Sequence, residues 1–269
     1  MEFPNIDPVA IDLGFFQIRW YALAYLGGFL GGWFTADRLV RLYPDGTRPN
    51  RNDIENLVTW VVIGVVLGGR LGYVLFYNLS YFIENPGQIL QMWRGGMSFH
   101  GGMLGVLIGI STYALIQKIS LLRVGDVVAA VVPIGLGLGR LSNFINGELY
   151  GRPTDAPWGV IFPHSGDGIP RHPSQLYEAV LEGLVLFTIL NLMLRKESIR
   201  NRPGIVIGMF GVLYGAFRIL IEFFREPDAH IGYLWGGISM GQLLSLPMII
   251  IGGALITFAI YRGRAQKHH

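Results

Sequence analysis

Apolar residues run along this chain in seven long blocks, near residues 19–36, 56–76, 98–117, 124–144, 174–194, 204–224 and 241–261, with short polar breaks between them. A hydrocarbon core about 30 Å thick takes about 20 apolar residues to cross as a helix. The blocks fit that length, so the pattern predicts seven transmembrane helices within a single domain, 1–269. Inside the blocks glycine returns every fourth residue, as in Gly64/Gly68/Gly72, Gly101/Gly105/Gly109 and Gly211/Gly215. That spacing lets helix backbones pack closely. Residues 145–173, rich in Pro and Gly, interrupt the pattern and predict a small head over the bundle.

Composition removes the soluble alternatives. Only 14% of residues are charged and 51% are hydrophobic, with mean hydropathy +0.44. A soluble domain carries about 25% charged residues, and a disordered chain more. There is no cysteine, which excludes a disulfide scaffold and an enzyme-borne thiol nucleophile. Net charge is +3, with the basic residues scattered between spans, a pattern that suits anionic lipid and gives no reason to expect nucleic acid.

Loop charge then orients the bundle. Thirteen of the 21 Lys and Arg residues fall in the breaks after spans one, three, five and seven (Arg38 to Arg51, Lys118 and Arg123, Arg195 to Arg202, Arg262 to Lys267). Five lie on the other side and three inside spans. The positive-inside rule therefore places the N-terminus outside and the C-terminus in the cytoplasm. Residues 1–18 carry Glu2, Asp7 and Asp12 and no basic start, which argues against a cleavable signal peptide.

The three intramembrane arginines are the first functional candidates. Arg70, Arg140 and Arg218 sit in the outer thirds of spans two, four and six, although a charge there costs about 2.5–3.5 kcal/mol. In span six Tyr214, Arg218, Glu222 and Arg225 share one helical face, where Arg218 and Glu222 form either a structural ion pair or part of a binding site. Span four ends with Arg140, Asn143, Asn146, Gly147, Glu148 and Gly151, a polar, glycine-punctuated end that lipid cannot satisfy. Gly147 and Gly151 are expected to let the chain turn. His100 opens span three between glycines, and Tyr21 opens span one at the outer interface. This chemistry points to an anion held in a lipid-accessible cavity, because arginine pairs grip phosphate through planar charged hydrogen bonds. No HExxH, CxxC or metal-spaced carboxylate set occurs, so neither metal nor cofactor is expected.

Five blocks in order carry a family resemblance. They are Gly68-Gly-Arg70-Leu-Gly-Tyr73, Gly95-Gly-Met-Ser-Phe-His100-Gly-Gly, Gly139-Arg140 through Asn143, Asn146, Glu148 and Gly151 to Arg152, Arg171-His-Pro-Ser-Gln175-Leu-Tyr177-Glu178, and Tyr214-Gly-Ala-Phe-Arg218 through Glu222 to Arg225. From about Pro4 to Arg262 the chain resembles the prolipoprotein diacylglyceryl transferases. It departs from them at Ala22, where many members have glycine, and in a short 152–171 segment.

The resemblance implies an enzyme of the bacterial inner membrane, active at the periplasmic leaflet. Its substrates would be phosphatidylglycerol and a prolipoprotein signal peptide; the diacylglyceryl group would pass to the lipobox cysteine and glycerol phosphate would leave. It implies roles for Tyr21, His100, Arg140, Asn143, Glu148, Gly151, Tyr214, Arg218 and Glu222. Together the two readings expect His100, Arg140, Arg218, Tyr21, Glu148 and Glu222 to be catalytic. They expect Arg140, Asn143, Asn146, Gly151, Tyr214, Arg218 and Arg70 to bind substrate. His100 either takes the thiol proton or orients the lipid. The alternatives are a transporter or flippase of an anionic lipid and a non-catalytic scaffold.

Overall fold

The computed structural model describes residues 1–4, 6–226 and 238–265. Two compact units divide the chain, Met1–Leu42 with Gly125–His269, and Tyr43–Val124.

The second unit is built on two crossing helices, α2 (Arg51–Tyr77) and α4 (Phe99–Ile116). Helix α2 starts before the apolar block because Asn50 and Asp53 form a reciprocal capping box ahead of it. The Asp53 carboxylate is buried and also accepts from Arg48 and from the Tyr113 hydroxyl at 2.9 Å. The repeated glycines meet where α2 and α4 cross: a Cβ on Gly68 would lie 2.4 Å from the Gly101 carbonyl oxygen. Between them stand α3 (Leu79–Glu84) and 3-10 turns at Pro86–Gln88 and Met92–Arg94, pieces too short for the apolar pattern to predict.

The first unit opens with a hairpin of β1 (Val9–Asp12) and β2 (Gln17–Arg19), antiparallel with Ile11 opposite Ile18. It continues with α1 (Trp20–Val40) and the body of α5 (Leu121–Ile145). Then α6 (Ser174–Glu178), a π-helical stretch Ala179–Val185 and α7 (Leu186–Arg195) form one continuous helix. The short α8 (Glu197–Arg200), α9 (Ile205–Glu222) and α10 (Met240–Ala265) complete it. Leu39, Ala130, Leu186, Leu190, Leu194 and Val206 make its core. Buried Asp126 caps α9 by accepting from the Gly204 and Ile207 amides, both at 2.8 Å.

Among the described residues six helices are long and apolar enough to cross a membrane, which makes this a mostly helical, multi-pass membrane protein. The expected first span is a 21-residue helix, α1, but is not one of the six. Its glycines, tryptophans and tyrosines dilute its apolar content. Lys267, counted above with the inner loops, lies outside the described residues.

The head segment has little regular structure and is held by single bridges, Pro153 and Val160 each pairing with Arg171. The Met1 ammonium donates to the Gly159 carbonyl at 2.5 Å, and Phe3 packs on Phe144 and Phe162.

Candidate functional site

The site grows from the membrane-buried charges of the first unit. Arg140 on α5 and Arg218 on α9 converge on one carboxylate, Glu178 at the end of α6. Arg140 Nε lies 2.7 Å from Glu178 Oε2, and Arg218 Nη1 donates to Oε1 at 2.7 Å. Arg218 Nη2 also pairs with Glu222, one turn further along α9. Arg225 Nη1 reaches the same Glu222 oxygen at 3.5 Å. Glu178 and Glu222 are buried, so lipid-like surroundings hold charge against charge with little screening.

The clamp is not saturated. The Arg140 N–H does not point along Glu178 Oε2, which keeps a hydrogen-bonding direction unfilled although the ion pair is short. A guanidinium has five donors, and one shared carboxylate cannot occupy both sets. Glu182 stands behind Glu178 in the π-helical stretch, fully buried, 4.0 Å from Arg140 Nη2. Neither of its oxygens accepts a hydrogen bond from a described residue. π-Turns recur at functional sites. Tyr214 lies in the same charged neighbourhood, its ring stacked on Phe210.

One helical turn from the clamp a second polar cluster closes the end of α5. Asn143 Nδ2 donates to Glu148 Oε1 at 2.8 Å, and Asn146 Nδ2 to the same oxygen at 3.3 Å. Gln175, on α6, donates from Nε2 to the Glu148 carbonyl at 2.6 Å. Gly147 takes φ +66°, so the expected turn is there. Gly151 serves a different purpose from the one expected: a Cβ on it would lie 2.4 Å from the Phe224 carbonyl and 2.7 Å from the His172 carbonyl. Its amide donates to His172 O at 2.8 Å, and Arg152 donates to the carbonyls of Arg225 and Glu222. Gly151 and Arg152 thus tie the end of α9 to the start of α6. Beside this knot the Arg171 guanidinium, 2.6 Å from Asp167, holds that carboxyl well below the usual range. Burial holds the His172 imidazole below its ordinary value.

The remaining sequence candidates lie elsewhere. Arg70 belongs to the second unit, and its five donors meet the backbone carbonyls of Gln88, Ile89, Gln91, Gly95 and Gly96. That pattern gives it a loop to hold. His100 lies on the first turn of α4 in that unit, exposed, its ring edge-on to Phe99. Tyr21 pairs with Tyr25, the ring centroids 5.3 Å apart. Glu178, Glu182 and Gln175 were missed as site residues. The signal was present, since two carboxylates four residues apart inside an apolar block obey the same rule that singled out the arginines.

Such a site can bind a singly charged anion between two fixed guanidiniums and offer polar groups to whatever that anion carries. Comparison with known proteins gives the family. The family model described as prolipoprotein diacylglyceryl transferase matches residues 8–258. The phosphatidylglycerol–prolipoprotein diacylglyceryl transferase of Rhodospirillum centenum is 56% identical over 254 residues, covering 94% of this chain and 91% of that one. The proteins of the same name from Azospirillum brasilense and Bradyrhizobium diazoefficiens are 53% and 50% identical, each over 98% of this chain and over 98% and 95% of their own.

Proposed function

Because the chain belongs to the prolipoprotein diacylglyceryl transferase family, we propose that Arg140 and Arg218 are the phosphodiester clamp of that reaction. The activity is transfer of a diacylglyceryl group from phosphatidylglycerol to a prolipoprotein, in lipoprotein maturation. The observation that carries the assignment is the shared anion: two guanidiniums from separate spans hold opposite oxygens of Glu178. A phosphodiester presents the same pair of oxygens to the donors that Glu178 leaves unfilled.

The chemistry follows from what the clamp can stabilise. The acceptor is the lipobox cysteine, whose thiol, with a pKa of about 8.5, is mostly neutral near pH 7 and must lose its proton. The thiolate attacks the glyceryl carbon bonded to the phosphate oxygen. The S–C bond forms as the C–O bond breaks, and the electron pair leaves on glycerol phosphate. Negative charge grows on that leaving oxygen, where fixed guanidiniums in a water-poor site act most strongly. No acyl carbonyl is attacked, so no oxyanion hole is required. Glu222 steadies Arg218, while Asn143, Asn146 and Glu148 face the head group and Tyr214 lines the clamp. His100 is assigned the thiol proton, and Tyr21 a supporting role, on the family resemblance alone. Arg70 and Gly151 act through backbone structure.

The family resemblance supports an inner-membrane protein with the clamp opening to the periplasmic leaflet, and loop charge supports an outside N-terminus, a cytoplasmic C-terminus and a seventh span at α1. The test is direct. Purified protein, phosphatidylglycerol vesicles and a synthetic lipobox peptide should give a diacylglyceryl mass gain on cysteine with equal release of glycerol phosphate. Lipid movement with neither product would restore the transport reading, which nothing in the relatives favours.

A further inference from the structure

Gln175 is among the most buried polar residues of the protein, with no exposed surface. Its Nε2 is fixed on the Glu148 carbonyl at 2.6 Å, which turns Oε1 away from that partner. No described residue donates to Oε1. Buried amide oxygens are almost always hydrogen-bonded, and leaving one unmet costs about 1–3 kcal/mol. A span that keeps such an acceptor next to a binding site keeps it for a donor that arrives from outside.

Position says which donor. Gln175 precedes Glu178 by three residues on α6, and Asn143 follows Arg140 by three on α5. On both helices the step is one turn, roughly 4.5 Å at 1.5 Å per residue, and on both it leads from the clamp towards the head segment. The cluster reached by that step is rich in acceptors. Asn143 and Asn146 both donate to Glu148 Oε1, and among the described residues none donates to Glu148 Oε2. A phosphodiester held by Arg140 and Arg218 carries its head-group alcohol a few bonds from phosphorus, over this same distance. Hydroxyl groups donate as well as accept, and a glycerol head brings two of them.

We propose that Gln175 is a specificity-determining residue: its Oε1, with Glu148 beside it, accepts hydrogen bonds from the hydroxyls of a polyol head group and selects that phospholipid from others with the same phosphodiester. The inference rests on the clamp assignment above and adds to it the group that reads the alcohol. A site built to bond a hydroxyl rejects an analogue lacking it far more strongly than an apolar pocket rejects a changed methylene, because its own polar groups stay unpaired.

The experiment compares phosphatidylglycerol with phosphatidylpropanol, which has the same phosphodiester and acyl chains and no head-group hydroxyl. Transfer to a lipobox peptide is followed as kcat/KM for each lipid in otherwise identical vesicles. The intact protein should prefer phosphatidylglycerol at least tenfold. In Gln175→Met, which keeps length and loses both hydrogen-bonding groups, the preference should fall below threefold, mostly through slower phosphatidylglycerol turnover. Gln175→Glu, which keeps an acceptor at the same place, should retain more of the preference than Gln175→Met. Equal slowing of both lipids in Gln175→Met would mean a purely structural glutamine and overturn the proposal. So would an intact protein that uses both lipids equally, a result that needs no variant to fold. Absence of product from phosphatidylglycerol itself would strike at the transfer reading instead.

Discussion

Arg140 and Arg218 close on opposite oxygens of the Glu178 carboxylate, each at 2.7 Å, from helices that are not neighbours in the chain. The arrangement depends on planar forks, which an ammonium lacks. Arg140→Lys and Arg218→Lys should each cut kcat/KM for transfer by about 100-fold or more, nearly as far as alanine does. Near-normal turnover in either lysine variant, measured by glycerol phosphate release, would remove the clamp from the mechanism.

Glu178 should matter for stability as well as turnover. Glu178→Gln leaves guanidiniums from two spans without their common anion, and breaking a buried pair from one side costs about 3–5 kcal/mol. The variant should unfold at lower temperature in detergent and transfer at least tenfold more slowly. Added phosphatidylglycerol should raise its unfolding temperature more than that of the intact protein, since the phosphodiester replaces the missing charge.

Arg70 gives the opposite expectation. Its guanidinium is filled by five backbone carbonyls of the segment before α4. Arg70→Ala should lower folded yield and thermal stability, while the KM for phosphatidylglycerol in the folded fraction stays within about twofold. A tenfold rise in KM at undiminished stability would return Arg70 to the substrate-binding set.

Gly151→Ala should damage the knot between α6 and α9. Its Cβ would overlap the carbonyls of Phe224 and His172, and overpacking of this kind costs about 1–3 kcal/mol. Limited proteolysis of the head should accelerate before whole-protein unfolding changes comparably.

The head should also carry an acid dependence of its own. Burial keeps His172 neutral in the fold, beside the Tyr177 hydroxyl, whereas the unfolded chain takes up a proton near pH 6.5. Head stability therefore falls as pH drops through that value. Asp167, held ionised by Arg171, adds stability above the ordinary carboxylate pKa of about 3.9 that is lost as pH falls below it. His172→Gln should flatten the first limb and Asp167→Asn the second, both read by hydrogen exchange at residues 150–173.

The meeting of Arg140 and Arg218 was legible in the sequence, because both sit at one depth and neither can face lipid. Depth alone does not set Arg70 apart from them, since height along a helix does not say which way a side chain turns. Its partners belong to α3 and the 3-10 turns, which leave no apolar period to read. Gly151 was expected to supply a turn and supplies close approach, a distinction that only the carbonyls around it decide. Glu178 stands in a family block and Glu182 four residues on, but a buried carboxylate can give up its charge by taking a proton, so it signals a site less strongly than a guanidinium, which cannot.

The π-helical stretch Ala179–Val185 takes up an extra residue in its span. Before and within it Gln175, Glu178 and Glu182 turn to charge, and after it Leu186, Leu190 and Leu194 turn to the apolar core. Removing a single aliphatic residue there would be absorbed by a return to ordinary pitch, with both halves kept in place, whereas adding one to a turn already widened would swing one half against the other by about 100°. Every functional side chain would survive in the sequence and none would meet its partner. The segment is therefore held against added residues more strictly than to the identity of its aliphatic ones.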